Sequence, residues 1–487
     1  MKVCEPVGDL GERSYCVPKH RGKLVLDRSN PLPIGREYVV GYHSHHATPG
    51  LHYWRGDMYR YNGAHYVPAD IAMIRSGIYG MLENAVVRRI KTNTDGDRED
   101  IYLPFKPKKY DVDQALDAVR ALVAQDASIE APVWINESGR TDASEYAACR
   151  NGLLHLPTQT LTAPNPNYFS LSGLGVAFRK VAPIPETWNK FLYDLFDDDE
   201  DAKQSLQELF GYMLASDTKF QKIFLIVGPK RSGKGTIARI LGELLGRANV
   251  AGPTLNSLGQ PFGLQSLIGK PLAIISDARL SGRADQAAIA ERLLSVSGED
   301  SLSIPRKHQT DWIGPLPTRF MILTNELPRL EDASGALASR FVVWNLERTF
   351  FGHEDHNLTA KLTAEMPAIL IWALEGYRRL YERGRFVQPQ SGQEAIDELE
   401  TLGSPVGAFV RDRCVAEPGA SIVCRAMYKA WRAWCEAEGR DHPGTAASFG
   451  RNLRANVAGL ATKQMQVNGV RDRWFVGIRL KTVREYG

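Results

Sequence analysis

At 487 residues the chain is too long for one ordinary core, since domains cluster at roughly 100 to 200 residues, and three domains are expected. Hydrophobic content of 43% beside charged content of 24% excludes wholesale disorder, and with no apolar leader and no apolar run of about 18 residues a cytoplasmic protein is expected. The net charge is only +4, yet residues 425–487 hold twelve Lys/Arg against five Asp/Glu, a skew that suits either a polyanionic partner or a solvated basic surface.

The cysteines Cys4, Cys16, Cys149, Cys414, Cys424 and Cys435 form no CxxC pair and read as free thiols. His43, His45, His46 and His52 match no zinc spacing, even with Cys4 and Cys16, and are expected in a polar loop. Leu51 to Pro68 alternates aromatic and polar residues around Gly56 and Asn62-Gly63, which predicts a small β meander. Helical spacing follows over Ile71 to Lys91 and Val112 to Gln125, with a polar loop at Thr92 to Asp100 between them. Asp111-Val-Asp113 opens the second helical pattern instead of ending an apolar strand, which argues against a primase site. Thr158 to Asn167 reads as irregular, Ile184 to Phe220 holds two helices, and the acidic run Asp197 to Asp201 suits a helix start.

Residues 220–350 alternate β-type runs with helices. Ile223–Val227, Leu272–Ile275, Phe320–Leu323 and Phe341–Leu346 are continuous apolar runs of strand length, as buried parallel strands are, so an α/β sheet covered by helices is predicted. Amphipathic helices are expected over 355–384 and a hinge at Val387 to Ser391.

Directly after the first of these runs comes Gly228-Pro229-Lys230-Arg231-Ser232-Gly233-Lys234-Gly235-Thr236, and directly after that a helical pattern (Ile237, Ile240, Leu241, Leu244, Leu245). Strand, glycine-rich loop and helix N-terminus together make a phosphate-binding loop, in which Lys234 reaches the β and γ phosphates. The usual hydroxyl residue after the lysine is replaced by Gly235, and Thr236 comes one place late. Asp277, ending the second run, suits Mg²⁺ or a water, but Ala278 stands where a second acid often follows. Asn325 ends the third run, Arg340 precedes the fourth, and Arg306, Lys307 and His308 form the basic tip of a predicted two-stranded hairpin.

The order of these motifs resembles the superfamily III helicase module of phage and plasmid primase-helicases, related to the poxvirus replication ATPase. The resemblance extends upstream through Arg150 to Leu156, Trp188 to Leu192 and Leu209 to Tyr212, and downstream through Met427 to Cys435, Phe449 to Leu453 and Val470 to Leu480. It implies an α-rich N-terminal domain (1–195), a P-loop AAA+-like ATPase domain (196–385) and a C-terminal winged-helix domain (395–487). It further implies ATP and Mg²⁺ as cofactors, with Thr236 and Asp277 toward the metal, and a homo-oligomeric ring, a hexamer, moving on single-stranded DNA. Lys234 would bind phosphate, Asn325 would sense the γ-phosphate, Arg340 would act on the neighbouring subunit's nucleotide, and Arg306, Lys307 and His308 would touch DNA in the channel. Duplex DNA would meet the winged helix, with a primase or initiator as a separate partner. On sequence, a DNA-binding initiator with weak or no ATPase and a nucleotide kinase-like phosphotransferase stay open.

Overall fold

The computed structural model describes residues 17–45, 48–135, 140–278, 285–307, 309–328, 330, 336–439, 443–467 and 470–482. The chain divides into two compact units, Met1–Ala182 with Leu214–Ser216 and Leu244–Gly246, and Pro183–Met213 with Asp217–Glu243 and Arg247–Gly487. Among the described residues no helix is long and apolar enough to cross a membrane.

In the first unit, helices Pro31–His43, Ile71–Glu83 and Lys109–Leu122 share a core that includes Ile34, Tyr38, Ile78, Leu82, Val112 and Val119. The expected meander is present as Leu51–Trp54, Asp57–Tyr61 and Tyr66–Pro68. Short antiparallel strands are more numerous here than an α-rich domain implies. The helical reading over Ile71 to Lys91 overran: Asn84 caps the helix, and Val86–Thr92 pairs with Arg98–Pro104 as a hairpin. Val86, Val87, Ile90 and Thr92 are β-branched, and that crowding at χ1 favours the strand over a fourth helical turn. The polar stretch at Thr92 to Asp100 therefore spans the hairpin turn and the start of its return strand. Asp111 is spent on structure, accepting from Lys108 N at 2.8 Å and pairing with Arg28 at 3.1 Å. Histidine 52 is no loop residue; it is 3% exposed in a strand, stacked on Tyr66. Cys4, Cys16 and His46 lie outside the described residues.

The second unit is built on a parallel sheet. Its strands are β1 (Ile223–Val227), β2 (Val250–Ala251), β3 (Leu272–Ile275), β6 (Arg319–Thr324) and β7 (Phe341–Asn345), while β4 (Leu302–Arg306) and β5 (Gln309–Gly314) form the hairpin between β3 and β6. The spatial order is β2-β3-β6-β1-β7, all neighbours parallel. Every residue of β1 is buried, as a strand covered on both faces requires. The edge of β7 is closed by Gln388, which accepts from Val343 N at 3.0 Å and donates to Val343 O at 2.8 Å, so the predicted hinge at 387–391 is anchored to the sheet.

Two long helices, Glu200–Leu214 and Met366–Arg383, cross with their backbones in near contact. A Cβ on Gly211 would lie 2.2 Å from Tyr377 N, and one on Gly376 would lie 2.1 Å from Gln207 O. Beside that crossing the buried Glu208 carboxylate takes charged hydrogen bonds from Arg379, at 2.7 Å, and Arg383. Asp199 caps the first helix by accepting from Ala202 N at 2.9 Å, which is what the acidic run supplies. C-terminal to the sheet, helices Pro405–Arg413, Cys424–Ala437 and Ala446–Asn456 pack on a three-stranded antiparallel sheet of β8 (Cys414–Val423), β10 (Val470–Leu480) and β9 (Ala461–Val467), in that order. Their core holds Phe409, Trp431, Trp434, Phe449, Leu453, Phe475 and Ile478.

Candidate functional site

Parallel strands end together, so loops that follow them share one edge of the sheet. β1 ends at Val227, beside Thr324 of β6, and the chain then turns through Gly228–Gly233 into the helix Lys234–Leu245. Gly233 makes that turn: its φ is +89°, and a Cβ there would lie 2.7 Å from Leu195 Cδ2. The outer carbonyls of the loop are tied down, Lys230 O accepting from Thr349 Oγ1 at 2.8 Å and Arg231 O from Phe350 N at 2.9 Å.

The Lys234 ammonium contacts Gly228 O at 2.6 Å, Pro229 O at 2.7 Å, Asn325 Oδ1 at 3.1 Å and Ser232 Oγ at 3.2 Å. Burial holds its pKa below the ordinary lysine value. Asn325 comes within reach because β6 is the immediate neighbour of β1.

The loop opens on a cavity of about 1180 Å³. One wall is helix Glu186–Phe196, contributing Phe191 and Asp194; the other is the segment after β7, contributing Phe350, His353, Leu358 and Lys361. Glu365 joins the walls by accepting from Thr187 N and Trp188 N, each at 2.9 Å. Of these wall residues, the sequence marked only Phe191, within the Trp188 to Leu192 segment of the resemblance, and gave it no site role. Three ion pairs stand inside the cavity: Lys190 with Asp194 at 3.0 Å, Arg231 with Glu354 at 3.4 Å and Lys361 with Asp355 at 2.7 Å. The Lys361 bond holds the Asp355 carboxyl below its usual range. Lys230, Lys234 and Arg239 pair with no carboxylate among the described residues, and they surround a helix N-terminus that is itself partially positive. The uncompensated positive charge at this end of the cavity is complementary to an anion.

The other predicted residues divide: Thr236 lines the cavity and Asp277 lies on the loop's edge of the sheet, whereas Arg340 lies at the opposite edge. Asp277 follows β3, two strands from β1, and is exposed without lining the cavity. Thr236 is buried, and its hydroxyl accepts from Arg239 Nη2 at 3.1 Å. With Gly235 lacking a side chain, this donor set does not fit a divalent cation ligated directly by the chain. Arg340 precedes β7, level with Lys222 at the opposite edge of the sheet, ~20 Å from the loop at ~3.3 Å per residue. Its Nη1 donates to Ser297 O at 3.1 Å and to Gln221 O at 3.5 Å. Lys222, which the sequence reading passed over, donates to Ser339 O at 2.7 Å; burial first, and the charge of Arg340 second, lower its pKa. At the hairpin, Arg306 is buried and donates through Nε to Thr310 O at 2.8 Å, closing the turn. Lys307 is exposed, with its ammonium 5.8 Å from the Phe262 ring centre, and His308 lies outside the described residues.

Comparison with known proteins places part of this site in a shared segment. The model of a family of unknown function, DUF5906, matches residues 226–340, from the end of β1 to Arg340. An uncharacterised mitochondrial protein of Marchantia polymorpha, ymf21, is 26% identical over 97 residues, 18% of this chain and 54% of that protein. The chain thus spans about half the length of this curated relative. Two apo structures of the C-terminal region of NrS-1 each align with 92% of this chain and 100% of their own at 12% identity, with TM-scores of 0.47 and 0.49.

Proposed function

We propose that this chain is an ATP-driven DNA motor of the superfamily III helicase class, serving replication of a phage, plasmid or integrated element. One observation carries the reading: Lys234 stands at a helix N-terminus, on a glycine loop after a central parallel strand, with Asn325 of the adjacent strand at 3.1 Å. In this reading the loop is a P-loop. Its backbone N–H groups cradle the triphosphate of ATP, and Lys234 exchanges carbonyl partners for phosphate oxygens and stabilises the charge that grows on them during hydrolysis. Asn325 holds the ammonium beside the γ-phosphate. Arg340 is too far from its own loop to serve it, so a catalytic role requires a second subunit, as in a ring. Mg²⁺ would enter with the nucleotide, and no step here is routed through it.

The C-terminal helices and three-stranded sheet are read as a winged helix that meets duplex DNA through exposed Arg451, Arg454, Lys463, Arg471 and Arg473. Lys307, exposed on the hairpin, is read as a contact to single-stranded DNA in the channel. A DNA-binding initiator with weak or no hydrolysis draws support from Ala278, which stands where a second acid often follows. The deciding measurement is phosphate release by the full chain with and without single-stranded DNA. DNA-stimulated turnover supports the motor, and ATP binding without turnover supports the initiator.

A further inference from the structure

We propose that Arg239 binds the α/β end of the nucleotide's phosphate chain. This rests on the nucleotide-site reading above. Side chains on a helix lean toward its N-terminus, so a residue in the second turn covers the first. Arg239 does so here: Nη2 donates to Thr236 Oγ1 at 3.1 Å, and Nη1 stands 3.8 Å from where a Cβ on Gly235 would be. The guanidinium faces the same cavity as Lys234.

A cation held at the positive end of a helix is in an unfavourable place unless an anion joins it. No carboxylate among the described residues does so for Arg239, although Lys190, Arg231 and Lys361 around it each have one. Arg239 is exposed at the cavity, where a phosphate chain would supply that partner. A guanidinium presents a planar fork of donors that matches two phosphate oxygens, and it keeps its charge at every working pH. In many phosphate loops a hydroxyl directly after the lysine brings a divalent cation to this spot. Here that position is Gly235, the next hydroxyl is occupied by Arg239, and Asp277 does not line the cavity. Charge neutralisation by a loop-held metal is thus replaced, in this chain, by a fixed cation from its own helix.

The test is equilibrium binding of a fluorescent ATP analogue to the purified full chain, in excess EDTA and in Mg²⁺, with a melting curve for each variant. The unmodified chain should bind in EDTA within about tenfold of its affinity in Mg²⁺, and Arg239→Ala should lose more than about tenfold in EDTA, as loss of a charge-assisted bidentate contact does. Arg239→Gln separates charge from structure, because its amide can still donate to Thr236 while the cation is gone. Loss of binding in Arg239→Gln at an unchanged melting temperature, with only partial recovery in Arg239→Lys, which restores the charge but not the fork, supports the proposal. Full binding by Arg239→Gln in EDTA overturns it and leaves Arg239 as a cap for Thr236. If the unmodified chain binds no nucleotide in either condition, the nucleotide-site reading itself falls.

Discussion

Replacing Lys234 by Ala separates a phosphate-binding lysine from a loop-stabilising one. The ammonium contacts four oxygens of its own chain, two of them backbone carbonyls of the loop and one from Asn325. When a triphosphate is bound, removal of the ammonium leaves those oxygens facing phosphate with no cation between them. Loss of one preorganised donor aimed at developing charge costs about 10² to 10³ in turnover, or ~2.7 to 4 kcal/mol. The effect on folding is far smaller, since the side chain is substantially solvated and a partly exposed ion contributes under ~1 kcal/mol. The assay pairs phosphate release in the presence of single-stranded DNA with thermal melting of the same protein. Turnover within about threefold of the unmodified chain, against the expected 10² or more, would refute the phosphate-loop assignment. A collapse of the melting temperature would instead show that the four contacts are structural.

Mixed oligomers of Arg340→Ala and Lys234→Ala should regain ATPase that neither has alone, because some interfaces then pair an intact loop with an intact arginine, by analogy with arginine fingers worth about 10³ to 10⁵ in rate. No recovery in proven mixed oligomers would assign Arg340 to the Ser297 and Gln221 carbonyls that it already contacts. Replacing Lys307 and His308 together by Ala should abolish strand displacement and spare basal ATPase, and full displacement would remove the hairpin from the DNA path. Arg306→Ala should destabilise the fold instead, by about 1 to 3 kcal/mol, because Thr310 O loses the charged donor that the buried Arg306 supplies. His52 and His65 are each pushed down to about 4 by burial, so protonation is easier in the unfolded chain. Their stabilisation is complete above about pH 6.5 and is lost as pH falls toward 4, on the order of 3 kcal/mol each at most. Melts between pH 7 and 4.5 should show that slope, and His52→Gln with His65→Gln should flatten it; an unchanged slope would place the acid sensitivity elsewhere.

The parallel sheet was legible because β1, β3, β6 and β7 each contain a continuous apolar run of strand length, as strands covered on both faces do. The loop was legible because both of its flanks could be read independently of its glycines. Where a pattern fits two periods, as from Ile71 through Ile90, the helix and the strand could not be separated by spacing alone. The cavity walls carried no signal of that kind. Phe191 and Phe350 line one cavity from segments far apart in the chain, and no residue spacing in either segment marks it as part of a site. Arg239 looked like the polar face of an amphipathic helix, and only its position over Gly235 distinguishes it from any exposed arginine. Arg306 and Lys307 are adjacent in sequence and alike in charge, yet the turn buries one and exposes the other.

Helices 200–214 and 366–383, held close at Gly211 and Gly376, are each preceded in the chain by a segment that lines the cavity. The pair acts as a spacer gauge between two helices: a methyl group added at Gly211 would meet Tyr377 N at 2.2 Å and force the helices to shift. Both helices also lie beyond the matched segment 226–340. A fragment trimmed to that segment would retain Lys234 and Arg239 but would have neither wall nor gauge, and any dissection of this protein into working parts has to begin before Glu186 and run past Arg383.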